Sequence, residues 1–279
     1  MKRILITGAA SGFGKGLALA LAAKGHHVIA GVQYPQQRTD LLAEARAADV
    51  QMRIIKLDIT RADDRARAFA HDIDILVNNA GQMQAGPVAE MPMDRVRENF
   101  EVNVFGTLAM IQGVVPQMAE RGAGKIVTVT SMGGLITVPF AAVYTATKHA
   151  LEGLIEGLRT ELAETGIEFC TANPGIFGTG FNDRGAETAL EWFDPKTSLS
   201  RSPLLAQFDF IGGDAPIPGQ LDPQIMVDAL VDICESDNAR FRNVVPAETE
   251  AWIKMMQKQA WIAHKNDPIY LDPTVAAHD

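Results

Sequence analysis

The feature that most limits the possible folds is a glycine-rich turn close to the start. Thr7-Gly8-Ala9-Ala10-Ser11-Gly12-Phe13-Gly14 follows the strand-like run Ile4-Leu5-Ile6 and opens a segment of helical character. Glycines at 8, 12 and 14 have a joint physical use at such a place. One permits a tight turn, one lets a phosphate approach bare backbone, and one lets the helix pack closely on a sheet. The helix N-terminus then presents free N–H groups and a partial positive charge to a pyrophosphate. The plain alternative is an ordinary strand-to-helix turn, but the place in the first βα unit favours the phosphate reading. Two rival motifs fail. A Walker loop needs Gly-Lys-Ser/Thr, and here Gly14-Lys15 is followed by Gly16. A hydrolase elbow needs Gly-x-Ser-x-Gly, and Val129 stands two residues before Ser131.

Beyond the turn, β-branched runs recur at Ile4–Thr7, His27–Val32, Arg53–Leu57, Ile73–Val77, Lys125–Thr130 and Ile167–Thr171. Segments rich in Ala, Leu, Glu and Arg separate them. This alternation predicts an α/β chain, doubly wound, with a parallel sheet and helices on both faces. The rhythm breaks after Pro174-Gly175. Residues 176–223 carry many Gly, Pro and aromatic residues without clear periodicity, which reads as a functional or mobile insert. A helix near Pro223–Glu235, a strand near Asn243–Val245 and a helical tail from about Glu248 follow. The whole, 1–279, reads as one catalytic domain with a substrate lid at about 176–223 and a C-terminal helical extension at about 247–279.

Composition supports a packed globular protein, with 47% hydrophobic and 21% charged residues. The net charge of −9 argues against a nucleic-acid or anionic-membrane partner. Two cysteines, Cys170 and Cys234, cannot make a disulfide framework. The six histidines show no spaced ligand pair, so no metal is expected. No leader is visible, and the apolar run Gly16–Ala23 is too short to cross a bilayer. A soluble cytoplasmic protein is therefore expected.

Tyr144 and Lys148 stand four apart in a segment of helical character, so both side chains share a face. An ammonium beside a phenol favours the phenolate and makes it a usable general acid/base. Alone, such a pair is most simply a solvated helix face. It is not alone. Ser131 ends the Lys125–Thr130 run, where a parallel sheet exposes strand ends to its ligand crevice. Asn103 lies where a helix interior does not favour it.

Taken with the glycine turn, Asp58, Asn78-Asn79-Ala80-Gly81, Pro174-Gly175 and Thr179, these residues resemble the short-chain dehydrogenase/reductase family. The resemblance covers residues 4–180 in detail and runs loosely to about 246. It implies a single Rossmann-type domain with about seven parallel strands. It implies that Tyr144 gives a proton to a carbonyl or takes one from an alcohol, and that Ser131 orients the reacting oxygen. By the same resemblance Lys148 lowers the tyrosine pKa and holds the cofactor ribose, while Asn103 supports a proton-relaying water. Gly8, Ser11, Gly12, Phe13 and Gly14 would surround the pyrophosphate and adenosine ribose. Asp58 and Ile59 would meet the adenine, and Asn79, Ala80 and Gly81 would cover the adenosine side. Pro174, Gly175, Phe177 and Thr179 would frame the nicotinamide, although Phe177 replaces the family's usual small aliphatic residue.

One departure bears on the cofactor. NAD-selective members carry an acid where this chain has Val32, and NADP-selective members often carry a cation where it has Gln33 or Ser11. With Lys15 and Arg38 as the nearest cations, either NAD or NADP is implied, with a lean to NADP. The expected activity is interconversion of a secondary alcohol and a ketone. Rival readings are a catalytically silent dinucleotide-binding regulator and an isomerase or lyase using the nicotinamide transiently. The aromatic insert, with Phe177, Phe181, Trp192, Phe193, Leu204, Leu205, Phe208, Phe210 and Ile211, suits a hydrophobic or aromatic small-molecule substrate. Relatives often form homodimers or homotetramers. Trp252 and Trp261 read as burying the tail against the body, and Arg61–Arg67 reads as a solvated short helix.

Overall fold

The fold is described from a computed structural model, which describes residues 1–194, 196–200, 220–265 and 267. Seven strands lie in one parallel sheet: β1 (Arg3–Ile6), β2 (His27–Val32), β3 (Arg53–Lys56), β4 (Ile75–Asn78), β5 (Gly124–Val129), β6 (Ile167–Pro174) and β7 (Arg242–Val245). Their spatial order is β3-β2-β1-β4-β5-β6-β7. The order reverses between β1 and β4, so the carboxyl ends of these strands flank a crevice.

The helices fall on two faces because successive strand residues do. Ile4 and Ile6 enter one core cluster and Leu5 the other. Helices α1 (Gly12–Ala23) and α8 (Pro223–Glu235) cover the first face through Leu17, Leu21, Met226 and Leu230. Their axes approach closely at Gly16, where a Cβ would lie 2.7 Å from Val227. Helix α2 (Pro35–Ala47) adds Leu41 at the sheet's β2 side. The other face holds α3 (Ala62–Phe69), a continuous run of α4 (Met93–Phe100), a π-helical turn (Glu101–Gly106) and α5 (Thr107–Arg121), and then α6 (Ala142–Glu161). Met110, Ile111, Val114 and Ile155 are fully buried there.

The Met93–Arg121 run is long and apolar enough to cross a membrane by length and composition. In this fold it packs on α3, β4 and β5. The insert differs from expectation. It contains α7 (Phe181–Leu190), hidden from periodicity by Gly185 and a charged face. Leu204, Leu205, Phe208, Phe210 and Ile211, named above as its apolar residues, lie outside the described residues. Helix α9 (Ala247–Ile262) buries Ile253 and Met256 against Met132 and Ile136. Trp252 packs on that cluster, but Trp261 is 90% exposed, so only one tryptophan buries the tail. In α3, Asp64 is buried rather than solvated. Lys56 donates to it at 2.6 Å, Arg67 pairs with it, and the Asp58 N–H donates at 2.9 Å.

Candidate active site

A cleft of about 950 Å³ runs along the carboxyl ends of the strands. That is near the upper end for ligand pockets. Its floor is the glycine turn. Gly8 sits at φ +66, and a Cβ there would lie 2.7 Å from the Ala80 backbone. A Cβ on Gly14 would collide with the Asn79 amide and the Gly8 carbonyl. Asn79 is the reason for this closeness. Its Nδ2 donates to the carbonyls of Thr7 and Gly8 at 3.1 and 3.0 Å. Thr7 Oγ1 accepts from the N–H groups of both Asn79 and Ala80 at 3.0 Å. The turn is thus bolted to the end of β4. Ser11 caps α1 without a side-chain hydrogen bond, which leaves the first helical N–H groups facing the cleft.

Gly8, Ser11, Gly12, Phe13, Gln33, Asp58, Ile59, Asn79, Ala80, Gly81, Pro174, Gly175, Phe177 and Thr179 all line this cleft. Gly14 supports it from beneath. Val32 does not line it. Its side chain is fully buried in the core on the α1 face. That end of the cleft is lined instead by Gln33, Gln37 and Asp40. Lys15, one of the two nearby cations, is paired with Glu44 at 3.0 Å. Burial works to raise the Asp58 pKa, but hydrogen bonds from Thr60 and Gln33 outweigh it and hold the carboxyl below its usual value.

At the other end, Ser131, Tyr144 and Lys148 come together. Ser131 follows β5 directly and its Oγ accepts from the Gly133 N–H at 3.0 Å. Tyr144 and Lys148 lie one turn apart on α6, and the Lys148 ammonium sits 5.6 Å from the tyrosine ring centre. Lys148 Nζ donates to the Val129 carbonyl at 3.0 Å. Burial pushes the Tyr144 phenol up to about 12, against a hydrogen bond with Ser131 that works downward. Burial also pushes Lys148 down to about 8, while the Glu152 charge works to raise it. The two groups therefore start further from mutual activation than the spacing alone suggests, because desolvation is the larger effect on each.

Asn103 is fully buried and does not line the cleft. It occupies the π-helical turn, a form that departs from the helix interior its sequence position disfavoured. Its Oδ1 accepts from the Gln82 N–H at 2.9 Å, and its Nδ2 donates to the Gln82 carbonyl and to Thr147 Oγ1, both at 2.9 Å. It clamps the chain just after Gly81 to α6.

The aromatic residues expected around this end take different places. Phe181 leans on Tyr144 with ring centres 5.7 Å apart. Phe13 meets Phe177 edge-on at 5.4 Å, joining the glycine turn to the Pro174–Thr179 segment. Trp192 and Phe193 do not line the cleft; they pack with Ala85, Ala189, Met83 and Phe140 behind it. Glu152, buried one turn beyond Lys148, was not singled out from sequence. The signal existed, since 144, 148 and 152 form one helical stripe.

A family model described as short chain dehydrogenase matches residues 2–189. An uncharacterised oxidoreductase of Bacillus subtilis, YusZ, is 38% identical over 185 residues, covering 64% of this chain and 66% of that protein. Estradiol 17-beta-dehydrogenase 1 of Rattus norvegicus is 35% identical over 207 residues, covering 70% of this chain and 60% of the rat protein. The chain thus spans two thirds or less of the length of these two relatives. A crystal structure of a short-chain dehydrogenase from Burkholderia cenocepacia in complex with NADP superposes with a TM-score of 0.73 at 26% identity, covering 96% of this chain and 98% of the other.

Proposed function

The chain belongs to the short-chain dehydrogenase family, and from that premise we propose that it is an NAD(P)-dependent oxidoreductase interconverting a secondary alcohol and a ketone. One observation carries the reading. Ser131, Tyr144 and Lys148 converge on the same cleft as a glycine turn whose helix N-terminus is left uncapped. The cleft fits a dinucleotide. Bare backbone at Gly12 leaves room beneath Thr179, which a Cβ there would approach to 3.4 Å. Gly8, Ser11, Gly12 and Phe13 would hold the pyrophosphate, Asp58 and Ile59 the adenine, and Pro174, Gly175, Phe177 and Thr179 the nicotinamide. When bound, the nicotinamide supplies or accepts the hydride.

The chain supplies the rest. Tyr144 gives its phenolic proton to the carbonyl oxygen, or takes one from the alcohol. Ser131 donates a hydrogen bond to the same oxygen and fixes it beside the phenol. Lys148, charged, holds the ribose hydroxyls and draws the phenol toward ionisation, while Asn103 holds the Gly81–Gln82 backbone behind it. The complete set favours an enzyme over a silent regulator.

Met83, Ala85, Val138, Phe140, Ile176 and Phe181 line the reacting end. Such walls suit a hydrophobic or aromatic substrate, and the rat relative is named for an apolar alcohol, estradiol. Of the insert at 176–223, α7 acts as a lid over this end, and of the extension at 247–279, α9 is the helical part; residues 195, 201–219, 266 and 268–279 lie outside the described residues. The same reading makes the protein cytoplasmic and a homodimer or homotetramer, with Phe105, 55% exposed, on the face available for pairing.

The test is a panel of carbonyls and alcohols with NAD(H) and NADP(H), followed by nicotinamide absorbance, on wild type and Tyr144→Phe. Bulky apolar carbonyls should give the highest kcat/KM. Loss of the proton donor should cost roughly 10²–10⁴ in kcat with dinucleotide affinity nearly intact. Retention of a tenth of the wild-type kcat by the variant would sink the role of Tyr144. Dinucleotide binding without turnover of any panel member would favour the regulator instead.

A further inference from the structure

Beneath the reacting end lies a buried charge network with no part in the steps above. Glu152 is 4% exposed and its carboxylate accepts four hydrogen bonds. Thr130 Oγ1 and Asn173 Nδ2 donate to Oε1 at 2.6 and 2.7 Å. Arg242 Nε and Thr171 Oγ1 donate to Oε2 at 2.9 and 3.4 Å. Thr130 immediately precedes Ser131, and Asn173 immediately precedes Pro174-Gly175. One carboxylate on α6 thus ties the ends of β5 and β6 that carry the candidate site to the start of β7.

A buried ion pair is weak as a device for stability, because apolar residues of the same volume serve as well. Its use here follows from its neighbour. Lys148, one helical turn away, is also 4% exposed. Burial drives an ammonium toward its neutral form. The groups meeting Lys148 from β5 and from the Asn78–Gly81 turn are the Val129 carbonyl and Gly81, both uncharged, and the uncharged Asn103 amide flanks Gly81 on its other side. On α6 the Tyr144 ring stands one turn before it, 5.6 Å from Nζ, and Glu152 one turn after it, acting through its charge rather than through a direct ion pair. Behind Glu152 stands Arg242 on β7, which also pairs with Glu156 at 2.6 Å.

We infer that Glu152 is a positioning residue of this site, fixing the strand ends under Ser131 and Pro174 and keeping the Lys148 ammonium charged at the pH of turnover, with Arg242 moderating its field. The inference rests on the dinucleotide-binding reading of Lys148. It explains why a carboxylate is held where an apolar side chain would pack.

The experiment is a titration of NADH and NADPH binding by fluorescence from pH 6 to 10, on the full chain. Wild-type affinity should fall as Lys148 loses its proton, and Lys148→Met should abolish that dependence. In Glu152→Gln the midpoint should move down by about one pH unit or more, the scale of a lost neighbouring charge. Glu152→Asp, which keeps the charge, should restore the midpoint. Arg242→Gln, at a half-exposed position, should leave it at or above the wild-type value. It keeps the test open if Glu152→Gln does not fold. A purely structural Glu152 would weaken binding equally at every pH, and an unmoved midpoint overturns the inference. A lowered midpoint in Arg242→Gln overturns it too. Wild-type protein that binds neither dinucleotide, or Lys148→Met that titrates like wild type, overturns the underlying reading and this inference with it.

Discussion

Asp40 illustrates how a single side chain can decide a partner. It lines the cleft with Gln33 and Gln37, at the end proposed for the adenosine, and Gln36 donates to it at 2.9 Å. Lys15 is already held by Glu44. A 2′-phosphate placed at this end would meet the Asp40 charge. In solvent, two unit charges at 4 Å repel by about 1 kcal/mol, or roughly fivefold in an equilibrium. Asp40→Asn should therefore raise kcat/KM for NADP by up to about fivefold and leave NAD almost unchanged. If the ratio for the two cofactors stays fixed in the variant, Asp40 does not face the ribose. Val32, the position that sequence comparison would choose for the same test, is the wrong one here, because its side chain is fully buried in the core.

Among the elements, α6 and α7 meet where Phe181 leans on Tyr144. Helix α6 carries Tyr144, Lys148 and Glu152 on one stripe, and that stripe could be read from four-residue spacing. Helix α7 could not be read so, since its apolar contacts are scattered. Ala189 and Phe193 are buried in a small cluster, while Phe181 leans on Tyr144. Arg95 and Glu191 add an ion pair at 2.7 Å across to α4. An element held by one small cluster opens more readily than the sheet beneath it. Trypsin should therefore cut after Arg184, which is exposed on α7, more slowly when dinucleotide and an apolar ketone fill the cleft. A cleavage rate indifferent to both ligands would remove α7 from the lid.

For the whole molecule, buried ionisable groups give stability a definite pH dependence. Lys148 has a folded value of about 8 against an ordinary 10.5. Between those values the unfolded chain holds the extra proton, so stability rises with pH. Cys170, Cys234 and Tyr144 are each pushed up to about 12 by burial. The unfolded chain loses those protons first, so they lower stability above about pH 9. Urea unfolding should thus show a rise from pH 7.5 to 9 that reverses above it, and Lys148→Met should lose the rise. A flat wild-type profile over the first window would show that the lysine is not buried as a cation. The sequence by itself determined the alternation of elements, the glycine turn and the Ser131, Tyr144 and Lys148 set. These depend on local periodicity and on residue chemistry at fixed spacing. Tertiary structure alone decided that Val32 faces the core, that Asn103 sits in a π-helical turn clamping Gln82, and that Trp192 packs behind the cleft. It alone brought Arg242 from the last strand, with Thr130 and Asn173, onto Glu152. Each of those outcomes depends on which segments meet across the sheet, and contact between residues tens of positions apart leaves no periodic trace along the chain.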